Sequence, residues 1–426
     1  MGYVAVRGGG KAIEESLKLL EYQRVSASSA WGTDEIEGTF PELVDQVMGE
    51  ASLYAPRLAA LALKQAQGSP DEAVFLLRAF RSTLERPYVS RPVDTGAMRV
   101  NRRVSAAFKD VPGGQVLGAT RDYSHRLLAF DLETEGAEEL AEKRAELAAH
   151  FEKVAEALEA ASDVVLGAPQ TPAALPRVLD YLRAQGLLAH VEADDAPPVD
   201  ATMAPLSFPA PRSVRLQTLA RGMTQAVEAL GYAAIRGFGP AHPTVGELRS
   251  GRVAVAVDHP LEAGGEQDAY YLGSVPVTEV ESVFESEGES DADGGTATAT
   301  RSDGGGLSLA IGYGLVFGRA ETKAIAMSVL DHCLERGDKR FPTEDEEFVL
   351  YHVDGVEATG FISHLKLPHY VTFQSKLSSV RGTRDEHSEC GECDPHGTRV
   401  AHDPQSTRDP HDQPAESKEA RDAAAL

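Results

Sequence analysis

The chain has 426 residues, 42% of them apolar, with 66 acidic against 41 basic side chains and a formal net charge of −25. That length suffices for two or three domains. The charge argues against a general nucleic-acid binder, which needs a basic footprint, and no apolar run is long enough to span a bilayer.

Tyr3–Arg7 alternates like a short strand, and Gly8-Gly-Gly-Lys11 leads into a helical pattern from Ala12 to Tyr22. The glycines lack the spacing of a phosphate-binding Walker loop, so a tight turn before a helix is the better reading. Residues 25–40 are polar and read as a loop. Three amphipathic helices follow, Phe40–Gly49, Pro56–Gln67 and Pro70–Leu84, with Ser69 as the N-cap of the third.

The most basic stretch of this acidic protein comes next: Arg99, Arg102, Arg103, Lys109, Arg121 and Arg126, with a turn at Asp110-Val-Pro-Gly-Gly114. Clustered guanidinium groups suit phosphate or phosphonate oxygens. The alternative is structural pairing with the surplus carboxylates. Glu135–Ala161 reads as a long solvated helix and Pro176–Leu188 as another.

A second region opens near Pro205. Arg215–Gly231 is helical, and a β-rich part begins at Ala233–Ile235, with strands at Arg252–Val257 and Leu272–Val277 and a possible continuation at Val280–Phe284. Leu307–Phe317 reads as a buried strand, Glu321–Glu335 as a helix and Glu346–His352 as a further strand. The architecture expected is α+β, a helical N-terminal half followed by a mixed α/β C-terminal half. The domains would be 1–188, mainly helical, and 205–380, mixed. A linker at 189–204 would join them, with a flexible acidic insertion at 285–306 and a disordered acidic tail at 381–426.

In Phe361–Gln374, His364 and His369 stand five positions apart. Neither a helix nor a strand brings that spacing to one point, but Pro368 bends the chain and allows it. Two neutral imidazoles suit zinc or a similar ion, yet two ligands do not close a site. Two ordinary polar loop residues fit as well. In the tail, Cys390 and Cys393 with His387, His396 and His402 could hold zinc or belong to a soluble acidic segment.

Several segments resemble the PhnI family, a subunit of the carbon–phosphorus lyase core complex. They are Met1–Ile13, Ala51–Gln67, Glu72–Arg81, Val93–Leu128, His242–Leu248, Gly312–Asp331 and Asp354–Val371, in the family's order. The resemblance implies a synthase subunit that, with partner subunits, displaces adenine from MgATP by methylphosphonate, giving α-D-ribose 1-methylphosphonate 5-triphosphate. It implies that His364 and His369 bind zinc at the contact with the radical-SAM lyase subunit, in a hetero-oligomer holding more than one copy of this chain. Ribosyl transfer builds positive charge on the sugar, which a flanking carboxylate can stabilise. Glu247, Asp354 and Glu357 stand near the family segments. Cationic clamps for the triphosphate and phosphonate, with Mg²⁺ brought by ATP, fall to Arg99–Arg126.

Two other readings stay open: a non-catalytic subunit lending metal ligands to its neighbour, and a stand-alone purine ribonucleoside hydrolase. No radical-SAM Cys-x3-Cys-x2-Cys motif is present, so that cluster belongs elsewhere. The three cysteines and the absence of a secretory pattern fit a cytoplasmic setting. Acidic residues spread over the whole chain fit a high-salt cytoplasm.

Overall fold

The computed structural model describes residues 9–26, 30–165, 175–188, 198–238, 242–259, 269–285, 309–366 and 370–391. The chain divides into two units, Arg7–His364 and a smaller one of Met1–Val6 with Leu365–Leu426.

The larger unit begins with helices α1 (Gly9–Val25), α2 (Thr33–Thr39), α3 (Pro41–Ala51), α4 (Pro56–Gln65) and α5 (Pro70–Arg81). Proline opens α3, α4 and α5, where its fixed φ helps and its missing N–H costs nothing. Ser69 caps α5 as expected, accepting from the Glu72 N–H. Val44, Val47 and Met48 of α3, Ala59, Ala60 and Leu63 of α4, and Ala73, Val74 and Leu77 of α5 recur at three- and four-residue spacing and close one core among these helices. Ile36 of α2 joins that core, so part of the stretch read as a loop is helical.

Four antiparallel strands follow in the spatial order β1 (Arg99–Val104), β2 (Thr244–Asp258), β3 (Ala269–Glu285) and β4 (Leu309–Phe317). Arg252–Val257 and Leu272–Val277 lie inside β2 and β3, β4 takes Leu307–Phe317 from Leu309 on, and Val280–Phe284 does continue the sheet. β1 comes from the helix-rich first half and pairs with β2, so the sheet ties the two halves of the sequence together. The fold class is α+β. Between β1 and β2 lie α6 (Ala137–Val165), α7 (Asp180–Ala184), α8 (Arg212–Arg221) and α9 (Thr224–Ala233). Only five residues of Pro176–Leu188 are helical. Arg215–Gly231 is split at Gly222–Met223, and α9 runs on to Ala233, where a first strand residue had been expected.

Helix α10 (Glu321–Arg336) lies across one face of the sheet, and β4 supplies glycines where the two backbones meet. A Cβ on Gly314 would stand 2.1 Å from the Ala324 carbonyl oxygen, and one on Gly312 would meet the Ser328 carbonyl as closely. Only glycine permits that approach. Val280, Val316, Met327 and Leu330 then pack into the main core. Helices α11 (Glu346–His352) and α12 (Gly355–Ser363) complete the unit. Glu346–His352 is thus helical, not a strand: the Asp345 carboxylate caps it by accepting from the Phe348 N–H at 3.1 Å, and Val349 and Leu350 turn inward. In the smaller unit α13 (Tyr370–Gly391) carries helix past residue 381, into the segment expected to be a disordered tail. The expected strand Tyr3–Arg7, residues 286–306 of the expected insertion, the linker from 189 to 197 and the tail from 392 onward lie outside the described residues.

Candidate functional site

Adjacent residues of a strand face opposite ways, and β1 divides the basic stretch accordingly. Arg102 points to the α10 side, where its Nε donates to Glu321 at 2.8 Å and its Nη2 to Asp122 at 3.3 Å. Arg103 points to the other side and is completely buried. Its Nε donates to Glu247 at 2.6 Å, and its two Nη groups donate to the carbonyls of Pro112 and Pro176 at 2.7 and 2.6 Å. Arg121 pairs with Glu42, and Arg126 with Asp122. Arg99 and Lys109 are exposed and make no ion pair among the described residues. Within this chain, four of the six cations are therefore engaged by its own carboxylates.

The face carrying Arg103 is built from charged residues. Glu247 and Arg249 of β2 stand opposite Glu281 and Glu279 of β3, and Tyr313 of β4 stands opposite Glu281. The loop residue Thr95 and the segment bearing Arg177 and Arg183 cover them. The Glu279 carboxylate accepts from Thr95 Oγ1 at 2.6 Å, Tyr313 O–H at 2.9 Å and Arg177 at 3.2 Å, and also from Arg249. Burial alone would raise Glu279, but Arg249, Thr95 and Arg177 together hold it below its ordinary value, so it stays ionised. Burial and then the Glu279 charge push the Tyr313 hydroxyl up, keeping it a neutral donor. Glu281 accepts from Arg183 at 2.6 Å and Arg177 at 3.4 Å. Two polar atoms of this face, Arg249 Nη1 and Glu281 Oε2, are buried without a partner among the described residues.

None of Arg177, Arg183, Arg249, Glu279, Glu281 and Tyr313 was singled out from sequence. A signal existed: acid or base at alternate positions in Glu247-x-Arg249 and Glu279-x-Glu281 puts charge on one strand face, which a buried sheet tolerates only if paired.

The three carboxylates weighed as catalytic take different places. Glu247 is buried and committed, bridging Arg103 and the Val178 N–H at 3.0 Å. Asp354 caps α12 through the N–H groups of Val356 and Glu357 and takes both oxygens to Arg78 Nη1, at 2.8 and 2.9 Å. Glu357, one turn on, is exposed, and its carboxylate has no partner among the described residues.

These bonds link segments far apart in sequence. Arg78–Asp354 joins Glu72–Arg81 to Asp354–Val371, Arg103–Glu247 joins Val93–Leu128 to His242–Leu248, and Arg102–Glu321 joins Val93–Leu128 to Gly312–Asp331. Five of the seven segments that carried the family resemblance are thus tied by ion pairs, in one group of two and one of three.

His364 ends α12, its Nδ1 on the Phe361 carbonyl oxygen, a tautomer that puts the lone pair on Nε2. His369 lies outside the described residues, as do Cys393, His396 and His402. No group of three or more His, Cys, Asp or Glu residues able to hold a metal occurs among the described residues. No helix among them is long and apolar enough to cross a membrane.

The sequence profile of the family described as bacterial phosphonate metabolism protein (PhnI) matches residues 2–387. The putative C-P lyase subunit protein HtxH of Stutzerimonas stutzeri is 42% identical over 393 residues, 91% of this chain and 97% of its own length. A protein of Rhizobium meliloti named alpha-D-ribose 1-methylphosphonate 5-triphosphate synthase subunit PhnI is 42% identical over 396 residues, 90% of this chain and 95% of its own. The Escherichia coli protein of the same name is 42% identical over 390 residues, 90% of this chain and 99% of its own. With a match of that breadth, the chain belongs to the PhnI family of phosphonate metabolism proteins.

Proposed function

We propose that this chain is the subunit of a phosphonate-degrading carbon–phosphorus lyase system that carries out ribosyl transfer with partner subunits. In the reaction, a methylphosphonate oxygen forms a bond to the anomeric carbon of MgATP. The bond from that carbon to adenine breaks, and the base leaves with a proton. The products are α-D-ribose 1-methylphosphonate 5-triphosphate and adenine. The observation carrying this reading is the near full-length match to two proteins named as subunits of that synthase.

The sugar gains positive charge as adenine leaves, and a carboxylate nearby lowers that barrier. Of the three candidates, Glu357 is the one whose carboxylate remains open, whereas Glu247 and Asp354 hold structure. Glu357 is therefore assigned the electrostatic role. Glu357→Gln in the assembled complex should lower kcat at least tenfold, with the melting temperature unchanged.

Zinc is assigned to His364 and His369 at a contact with the radical-SAM lyase subunit. The Nδ1 hydrogen bond of His364 supports this, since it selects the ligating tautomer at Nε2. Bound there, zinc would act as a Lewis acid or structural tie in the later cleavage. Full metal content in complexes carrying His364→Ala and His369→Ala would remove this assignment.

The main test is adenine release from MgATP and methylphosphonate, with and without co-expressed partner subunits. Release that needs both phosphonate and partners, with a ribosyl phosphonate product, supports synthesis. Adenine release by the chain alone, with water as acceptor, favours a hydrolase, and silence in a stable complex favours a structural subunit.

A further inference from the structure

Four guanidinium groups gather where α5 ends: Arg78 and Arg81 on α5, Arg86 just beyond it, and Arg221 at the end of α8. Two have acidic partners, Arg78 with Asp354 at 2.8 Å and Arg86 with Asp200 at 2.5 Å. Arg81 and Arg221 have none among the described residues. Arg81 Nη1 donates to the Ala51 carbonyl at 2.8 Å and Arg221 Nη1 to the Ala201 carbonyl at 2.7 Å, which fixes each fork without neutralising it. Arg221 Nε is buried and meets no acceptor among the described residues.

The electrostatics agree with the geometry. Burial, then the charges of Arg221, Arg86 and Arg78, pull Arg81 below its ordinary value. Burial and then Arg78 do the same to Arg221, against the opposing pull of Asp354, Asp200 and Glu357. A half-buried cation ordinarily finds a counter-ion, and this chain has carboxylates to spare, 66 acids against 41 bases. Two neighbouring, half-buried arginines left without one mark a place kept for an anion from outside the chain. Guanidinium forks match tetrahedral oxyanions in shape as well as charge.

We propose that Arg81 and Arg221 form an oxyanion site for a phosphoryl or phosphonyl group, with the Asp354 cap and the open carboxylate of Glu357 beside it. The choice of ligand class rests on the ribosyl-transfer reading, and the site itself rests on the unpaired arginines. The site is separate from the Arg99–Arg126 stretch, whose two buried cations, Arg102 and Arg103, are committed to Glu321 and Glu247. It would hold one charged end of a substrate while Glu357 lies alongside for the sugar, and no covalent step occurs at the arginines.

The test is calorimetric titration of inorganic phosphate, methylphosphonate and tripolyphosphate into the complex of the full chain with its partner subunits. The wild type is compared with Arg81→Gln, Arg221→Gln and Arg81→Lys. At least one probe should bind the wild type, and each glutamine variant should weaken it about tenfold or more, the loss of one charge-assisted bond. Arg81→Lys should fall between, since it keeps the charge and loses the fork. Which probe binds tells a phosphonate site from a triphosphate site. Should Arg81→Gln fail to assemble, Arg221→Gln and Arg81→Lys decide. No binding of any probe by the wild type, or equal binding by the variants, overturns the proposal. The two readings fail separately. Adenine release with unchanged KM for MgATP and methylphosphonate in both glutamine variants removes the site and leaves ribosyl transfer standing. Probe binding lost in the variants, without adenine release by the wild type, removes ribosyl transfer and leaves the site.

Discussion

The two faces of the four-stranded sheet are held by different physics. Apart from the Arg102–Glu321 ion pair, the contacts under α10 are mainly apolar or neutral: Leu248, Val280 and Val316 pack on Met327 and Leu330, Ser250 meets Thr278 at 2.8 Å, Ser282 meets Ser328 at 2.7 Å, and Gly312 and Gly314 let the helix backbone settle on β4. On the opposite face Arg103, Glu247, Arg249, Glu279 and Glu281 are buried side by side under Thr95, Arg177 and Arg183. The first face gains from removing apolar surface from water and depends on fit. The second must balance every charge, because an ion stripped of its partner in low dielectric is far costlier than a lost methyl group. One sheet thus joins a face that tolerates little volume change to a face that tolerates little charge change.

The largest effect should come from unbalancing the charged face. Arg103→Met leaves Glu247 buried with only the Val178 N–H and should cost about 3–5 kcal/mol in urea unfolding. Adding Glu247→Leu should restore a good part of that. A double variant as unstable as the sum of the two singles would show that the pair is not coupled.

The α10 face should be the one that senses mild acid. His332 is stacked on Phe284 with ring centroids 3.9 Å apart, and burial, then Arg336, push it down to about 4 from 6.5, against Asp331. A group that resists protonation when folded lends stability above pH 6.5 and loses it as pH falls toward 4, by at most about 3 kcal/mol. His332→Phe should flatten that window. Glu279, held below its ordinary value, keeps its contribution until pH falls below about 4.5, so the two faces should separate in an acid titration of stability.

Fit on the α10 side is probed by Gly314→Ala, whose Cβ would stand 2.1 Å from a backbone carbonyl that cannot swing aside. A loss of about 1–3 kcal/mol is expected, and an unchanged melting temperature would show that α10 can lift from the sheet. The smallest effect belongs to the exposed Arg126–Asp122 pair, whose side chains are 66% and 52% accessible. Arg126→Ala should change stability by no more than about 0.5 kcal/mol, which separates the solvated part of the basic stretch from its buried part.

By itself, the sequence determined the elements whose causes are local. Residues three and four apart make a helix face and a serine caps the next turn, so α3, α4 and α5 were legible nearly to their ends. Alternation marked β2, β3 and β4. Glu346–His352 was misread because a short apolar run satisfies both periods, and the Asp345 cap decides it. Family membership was also legible, since its segments recur in order. The pairings were decided only by the tertiary structure. Arg103 meets Glu247 across 144 positions, Arg102 meets Glu321 across 219 and Arg78 meets Asp354 across 276. A basic stretch reads as one cluster in sequence, but successive side chains of a strand point to opposite sides of a sheet, so Arg102 and Arg103 went to different partners. Arg81 and Arg221, without acidic partners among the described residues, come from segments 140 positions apart, which no local pattern could join.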